Sequence, residues 1–379
     1  MNIRVLGILV TGIALLTLVS PAMATPMYTI TDLGDLLGGR DVSVAYGIND
    51  SGQVVGVSEL GTGYGAFYWD SGVMTDLGDL LGGNDYSEAY GVNDSGQVVG
   101  YGSAATGPRG FLWQSGVMAD LGDLLGGIDY SVANAINDSG QVVGASGAAT
   151  GTRGFIWDSE VMTDLGDLPG GDDFSVANGI NDSSQVVGAS GAATGTRGFL
   201  WESGVMTDLG DLPGGADRSQ ALGVNNSGKI VGFSGAGTGF HAFLWQSGVM
   251  SDLGILPQGD DESFATGIND SGQVVGWSSS FGDVLHAFLW AEEFGMLDLN
   301  DLVSDPDDWV LRYAYAINTS GQIIGLGTRG DEYLAFLLTP VASSSVPEPV
   351  TLSLLGVGLF GIGALRLRTR SELRRTSKA

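Results

Sequence analysis

The chain has 379 residues, no cysteine, and 43 acidic against 15 basic side chains, a net charge of −28. Without thiols there is no disulfide framework and no thiolate chemistry, yet a chain of this length buries enough apolar surface without staples. Between Thr25 and Val346 the imbalance deepens to eight basic and 41 acidic residues, a net of −33. That field repels nucleic acid and anionic headgroups, favours cationic partners and serves solubility.

Residues 1–24 have the pattern of a secretory signal peptide. Arg4 gives the positive start, Val5 to Val19 the apolar stretch, and Ala22-Met23-Ala24 a small-residue site for cleavage after Ala24.

Residues 25–341 are dominated by a unit of about 44 residues that recurs seven times. Its core is Ile48-Asn49-Asp50-Ser51-Gly52-Gln53-Val54-Val55-Gly56. The asparagine returns as Asn93, Asn137, Asn181, Asn225, Asn269 and Asn318, in steps of 44 and finally 49. A fixed period of this size marks a propeller, solenoid or array.

Within one unit, four strands are predicted. Ala45–Asn49 and Gln53–Ser58 flank an Asp-Ser-Gly turn, in which Gly52 takes the left-handed position and forms a bulge. Ala66–Trp69 and Val73–Gly78 flank a second Asp-Ser-Gly turn expected to be of the same type, with Glu59–Tyr64 and Leu81-Gly82-Gly83 as connections. Small residues (Ala45, Gly47, Ala89, Gly91) suit a crowded inner strand, and aromatics (Phe111, Trp113, Phe243, Trp245) suit the space between sheets. The expected fold is all-β: a seven-bladed β-propeller of four-stranded repeats. The segment Tyr28–Gly34 is a fourth strand without its first three, and Leu334–Leu338 a third strand without its fourth. Together they would complete one blade and close the ring, leaving no free sheet edge.

His241-Ala242-Phe243 and His286-Ala287-Phe288, with the Asp-Leu-Gly and Gly-Ile-Asn-x-x-Gly-Gln-Val-Val-Gly segments, resemble the extracellular HAF repeat family over nearly all of Tyr28 to Leu338. That resemblance implies a surface location and no defined activity. Arg109, Arg153 and Arg197 stand where the His does elsewhere, and Gly65 and Leu334 in the first and last units.

The basic position opens the third strand. Arg109 is expected across the hairpin from Asp120 and Asp123, Arg153 from Asp164 and Asp167, and Arg197 from Asp208 and Asp211. With His241 and His286 these form a candidate ring for a glycan carboxylate, but an ion pair within each blade accounts for the pattern better. Paired carboxylates on loops are hard-oxygen donors of the Ca²⁺ kind, yet no segment has the spacing of a calcium loop, so loosely held counter-ions are favoured over a specific site and no cofactor is expected. The Asn-x-Ser match at every turn is explained by turn chemistry. With two histidines at equivalent positions and no nucleophile elbow, zinc motif or phosphate loop, no catalytic residue is singled out. Gln141–Phe155 and Gln185–Phe199 are identical, which favours a scaffold or multivalent face over one asymmetric active site. A distinct site, if present, would be sought near the Asp305–Trp309 insertion.

Residues 342–349 are a linker ending in Pro347-Glu348-Pro349, 350–365 an uncharged apolar helix, and 366–379 a basic tail with Arg366, Arg368 and Arg370. The helix is shorter than the ~20 residues of a comfortable span, and the tail is expected on the cytoplasmic side. The three-part order resembles the PEP-CTERM sorting signal of Gram-negative bacteria, which implies processing by an exosortase after transient anchoring in the inner membrane. The sequence thus predicts a non-catalytic, cell-surface binding or scaffold protein of the extracellular polysaccharide layer, with a polysaccharide hydrolase or lyase as the alternative.

Overall fold

Two β-branched residues, valine or isoleucine, followed by glycine build the second strand of every unit, and the structure shows why. Val54 and Val55 are fully buried. A Cβ on Gly56 would lie 1.9 Å from the Val44 carbonyl oxygen and 2.9 Å from the Phe67 ring. The glycine is the space into which the aromatic of the third strand packs. Phe67, Phe111, Phe155, Phe199, Phe243, Phe288 and Phe336 are all completely buried in this way, each contributing about 1.5–3 kcal/mol of burial.

This computed structural model describes residues 25–341 except 238, 258–261, 281–283 and 305. The signal segment with Ala24, the linker with Pro347, Glu348 and Pro349, the apolar helix, and the tail with Arg366, Arg368 and Arg370 lie outside the described residues. The described chain is all-β, with 28 strands in repeated antiparallel sets of four, the first two sets joined by one parallel pair, Tyr64 with Tyr86, and one short 3-10 turn at Leu299–Asp301. No helix among the described residues is long and apolar enough to cross a membrane.

In the first unit the strands are Ser43–Ile48, Val54–Leu60, Gly63–Asp70 and Val73–Asp76. The stretch read as a loose connection is therefore a tight hairpin, with Leu60 paired to Gly63. Glycine-rich ends have weak intrinsic strand preference, and here the ladder of the neighbouring strand extends them. The Leu81-Gly82-Gly83 connection likewise enters a strand, Gly82–Val92, through a Gly82–Ala104 pair.

The two turns of the unit differ, contrary to the sequence expectation. The Asn49 carbonyl accepts the Gly52 N–H at 3.0 Å and Gly52 has φ +79°, the expected turn with a glycine bulge. At the second turn both Ser71 (φ +50°) and Gly72 (φ +91°) are left-handed, and Asp70 pairs directly with Val73. This is the two-residue turn whose twist matches a hairpin.

Apolar clusters lie between neighbouring sheets rather than within one. Val143, Leu165 and Leu168 of the third unit meet Ala177, Val186 and Phe199 of the fourth. Leu33, Leu36, Ala45 and Val54 near the beginning meet Ile324, Ala335 and Leu337 near the end. Tyr28–Asp32 pairs antiparallel with Glu332–Pro340, Tyr28 opposite Pro340 and Asp32 opposite Phe336. Val42 bridges Tyr333, as Phe174 bridges Thr152 and Arg218 bridges Thr196 between consecutive units.

Candidate functional site

The turn asparagine does more than shape its turn. Asn49 Oδ1 accepts the Gln53 N–H at 2.9 Å, which is turn chemistry. Its Nδ2 then donates to the Asn93 carbonyl oxygen of the next unit at 3.0 Å. The bond recurs from Asn93 to Asn137, Asn137 to Asn181, Asn181 to Asn225, Asn225 to Asn269 and Asn269 to Asn318. Asn318 donates to Asn49 at 3.1 Å. All seven side chains are buried. The sequence account, which let the turn explain the residue fully, missed this; the available signal was that aspartate, equally good in the turn, never replaces it.

One residue further on, carboxylates gather round a cavity of about 190 Å³ lined by these turns. Asp94 Oδ1 accepts the Asp50 N–H and Asp138 Oδ1 the Asp94 N–H, each at 2.9 Å, and Asp50 Oδ1 accepts the Thr319 N–H at 2.9 Å. Asn226 interrupts the acids, donating to Asp182 at 2.9 Å and to Asp270 at 3.2 Å. Burial, and then the charges of Asp138 and Asp50, push the Asp94 carboxyl above its ordinary value.

Serine supplies a second set of links between units. Ser87 Oγ accepts the Ala66 N–H of the preceding unit at 3.0 Å and donates to the Gly78 carbonyl oxygen at 2.8 Å. Ser43 does the same with Ala335 and Gly34. The Asp-Leu-Gly segment is a turn: Asp32 Oδ1 accepts the Gly34 N–H at 2.9 Å while Leu33 is buried.

The basic residues of the third strand face carboxylates, as their spacing suggested, and also meet a second acid from the following unit. Arg109 Nη1 is 2.7 Å from Asp123 and Nη2 3.3 Å from Asp129. Arg153 stands so to Asp167 (2.6 Å) and Asp173 (3.1 Å), and Arg197 to Asp211 (2.5 Å) and Asp217 (3.4 Å). His241 and His286 instead meet the earlier acid, Asp252 at 2.8 Å and Asp298 at 2.6 Å. The arginine side chains are about nine-tenths covered. Arg109 Nη1 touches Asp123 off hydrogen-bonding angles, and its buried Nε has no acceptor. Burial opposes the Arg109 charge, but Asp123, Asp120 and Asp129 outweigh it and raise its pKa. Among the described residues, no group of three or more His, Cys, Asp or Glu is arranged to hold a metal ion. Trp309, beside the insertion, is buried against Phe336 at 6.4 Å, edge to face.

One position that varies between units sits on the first strands: Tyr46, Tyr90, Asn134, Asn178, Leu222, Thr266 and Tyr315, all partly buried. Tyr46 meets Tyr90 at 5.3 Å and Tyr315 at 5.2 Å between ring centroids. Burial pushes the Tyr315 hydroxyl up to about 12. Asn134 and Asn178 donate to Ala177 and Ala221 carbonyl oxygens at 2.8 Å.

No protein-family profile and no curated protein matches the chain. Among solved structures it is similar to TolB from Acinetobacter baumannii at 11% identity and a TM-score of 0.46, covering 77% of this chain and 64% of that one. It is also similar to a protein described as a gluconolactonase, at 9% identity and a TM-score of 0.41, covering 83% and 92%. Both are β-propeller proteins. The chain thus spans under two thirds of the TolB chain.

Proposed function

We propose that residues 25–341 form a closed seven-bladed propeller that acts outside the cell as a non-catalytic binding or scaffold protein in the polysaccharide layer. Closure is supported chiefly by the seven asparagine bonds, which pass from unit to unit and return from Asn318 to Asn49. A ring held by identical groups in every unit leaves the variable side chains of the first strands free to differ, which is how a repeat scaffold acquires a binding surface. The two carboxylates against each of Arg109, Arg153 and Arg197 support a structural ion-pair role for these residues. Export by the amino-terminal signal and sorting by an exosortase at Pro347-Glu348-Pro349 belong to the same proposal.

The test is incubation of the purified protein with exopolysaccharide from the source bacterium. Retention of the protein on the polymer without cleavage is expected. New reducing ends or unsaturated products would replace the scaffold role by that of a hydrolase or lyase.

A further inference from the structure

A second cavity, of about 420 Å³, lies between the second and third units and is lined by Tyr90, Tyr101, Pro108, Tyr130, Val132 and Asn134. Its size falls within the roughly 300–1,000 Å³ of small-molecule sites. It exists because side chains at matching positions differ in bulk. Where the second unit has Tyr90 and Tyr101, the third has Asn134 and Ala145 and the fourth Asn178 and Ala189. In the fifth and sixth units the same region is filled: Phe233 meets Phe264 at 4.6 Å, and Phe264 stacks on Trp277 at 4.2 Å.

The aromatic wall is held in place before any ligand arrives. Tyr90 and Tyr101 lie nearly parallel, 5.8 Å apart. Tyr90 donates to Glu88 Oε2 at 2.8 Å, Tyr86 donates to Glu88 Oε1, and Tyr101 donates to the Tyr86 hydroxyl at 3.0 Å. Burial, with the Glu88 charge next, raises the Tyr90 pKa, so these phenols stay neutral donors. Two polar groups at the cavity are left over: among the described residues, neither Asn134 Oδ1 nor the Tyr130 hydroxyl has a protein partner.

We infer that this cavity binds a neutral pyranose ring, its C–H face against the Tyr90–Tyr101 wall and its hydroxyls toward Asn134 and Tyr130. A flat apolar face edged by hydroxyls is what an aromatic wall with free polar groups at its margin accommodates. A uronate is disfavoured because no basic side chain lines the cavity, and Arg109, next in sequence to Pro108, already faces Asp123 and Asp129. A quaternary ammonium is disfavoured because both Glu88 oxygens are taken by tyrosine hydroxyls and the two rings stack rather than enclose. The inference gives a place and a ligand chemistry to the polysaccharide-binding role proposed above, and rests on it.

The test uses the full chain with cellotetraose, tetragalacturonate and tetramethylammonium chloride as probes, read by saturation-transfer NMR. Cellotetraose is expected to bind through its ring C–H protons. Tyr101→Phe should hold affinity within about twofold, while Tyr101→Ala should lose about tenfold or more, roughly 1.4 kcal/mol. Val132→Phe, which copies Phe264 of the sixth unit, should fill the cavity and abolish binding with the thermal transition intact. Absence of cellotetraose binding overturns the inference, as does unchanged binding by Tyr101→Ala and Val132→Phe, or preference for either charged probe. Exopolysaccharide retained equally by wild type and both variants overturns this site alone; no retention by wild type overturns the binding role with it.

Discussion

Asn137 offers the sharpest test of how the units are joined. Its side chain makes three hydrogen bonds: Oδ1 accepts the Gln141 N–H at 2.9 Å, and Nδ2 donates to Gln141 Oε1 at 2.9 Å and to the Asn181 carbonyl oxygen at 3.1 Å. Asn137→Ala removes all three from a buried position, at about 1 kcal/mol net for each, so roughly 3 kcal/mol in total. Unfolding entropy of about 2.1 cal/mol/K per residue over the ~317 residues of the body gives about 0.67 kcal/mol/K, hence a Tm lower by about 4–5 °C. Asn137→Asp separates the link from the turn. It keeps the Oδ1 acceptor for Gln141 N–H but sets an oxygen against Asn181 and Gln141 Oε1, so it loses about 2 kcal/mol or more, about 3 °C. The exposed Ser139→Ala serves as control. Differential scanning calorimetry of the three variants decides the matter. An Asn137→Asp transition within about 1 °C of wild type would refute the inter-unit bond as a source of stability.

Arg153→Ala leaves Asp167 and Asp173 facing each other without their cation, and should cost about 2 kcal/mol by urea denaturation, less than a fully buried pair because both acids keep water contact. Gly56→Ala drives a Cβ into the Val44 carbonyl and the Phe67 ring, and should cost about 3 kcal/mol or prevent folding, read as loss of soluble protein or of the thermal transition. Asp94→Asn copies Asn226 and should raise Tm at pH 7. The sign follows from the raised Asp94 pKa: the ionised carboxylate opposes folding above that pKa and ceases to do so as pH falls through it. The gain should therefore fade on acidification, and added salt should reduce it at pH 7 by screening the neighbouring acids.

How much of this was legible beforehand differs from feature to feature. The seven-fold period and the all-β class follow from the spacing of the repeat, the pairing of Tyr28–Asp32 with the last strand from the incomplete unit at each end, and the facing of Arg109 and Asp123 from a hairpin, which fixes which residues stand opposite. The second turn was misjudged because Asp-Ser-Gly is compatible with both turn types; the direct pairing of Asp70 with Val73 selects between them. Asn49 and Ser87 looked like local turn and strand residues, and their bonds to the neighbouring unit carry no mark in a single repeat.

By itself, then, the sequence determined what is periodic: burial alternates along the first strands and runs unbroken through the Val-Val-Gly of the second, glycines stand where a ring must pack, and acids recur where turns need acceptors. Only the tertiary structure decided what lies between the repeats. Asp129 meets Arg109, Asn318 meets Asn49, and Tyr90 and Tyr101 face the small side chains of the third unit across a hollow. Such contacts depend on how one sheet is set against the next, which interlocking side chains fix collectively and no local pattern encodes.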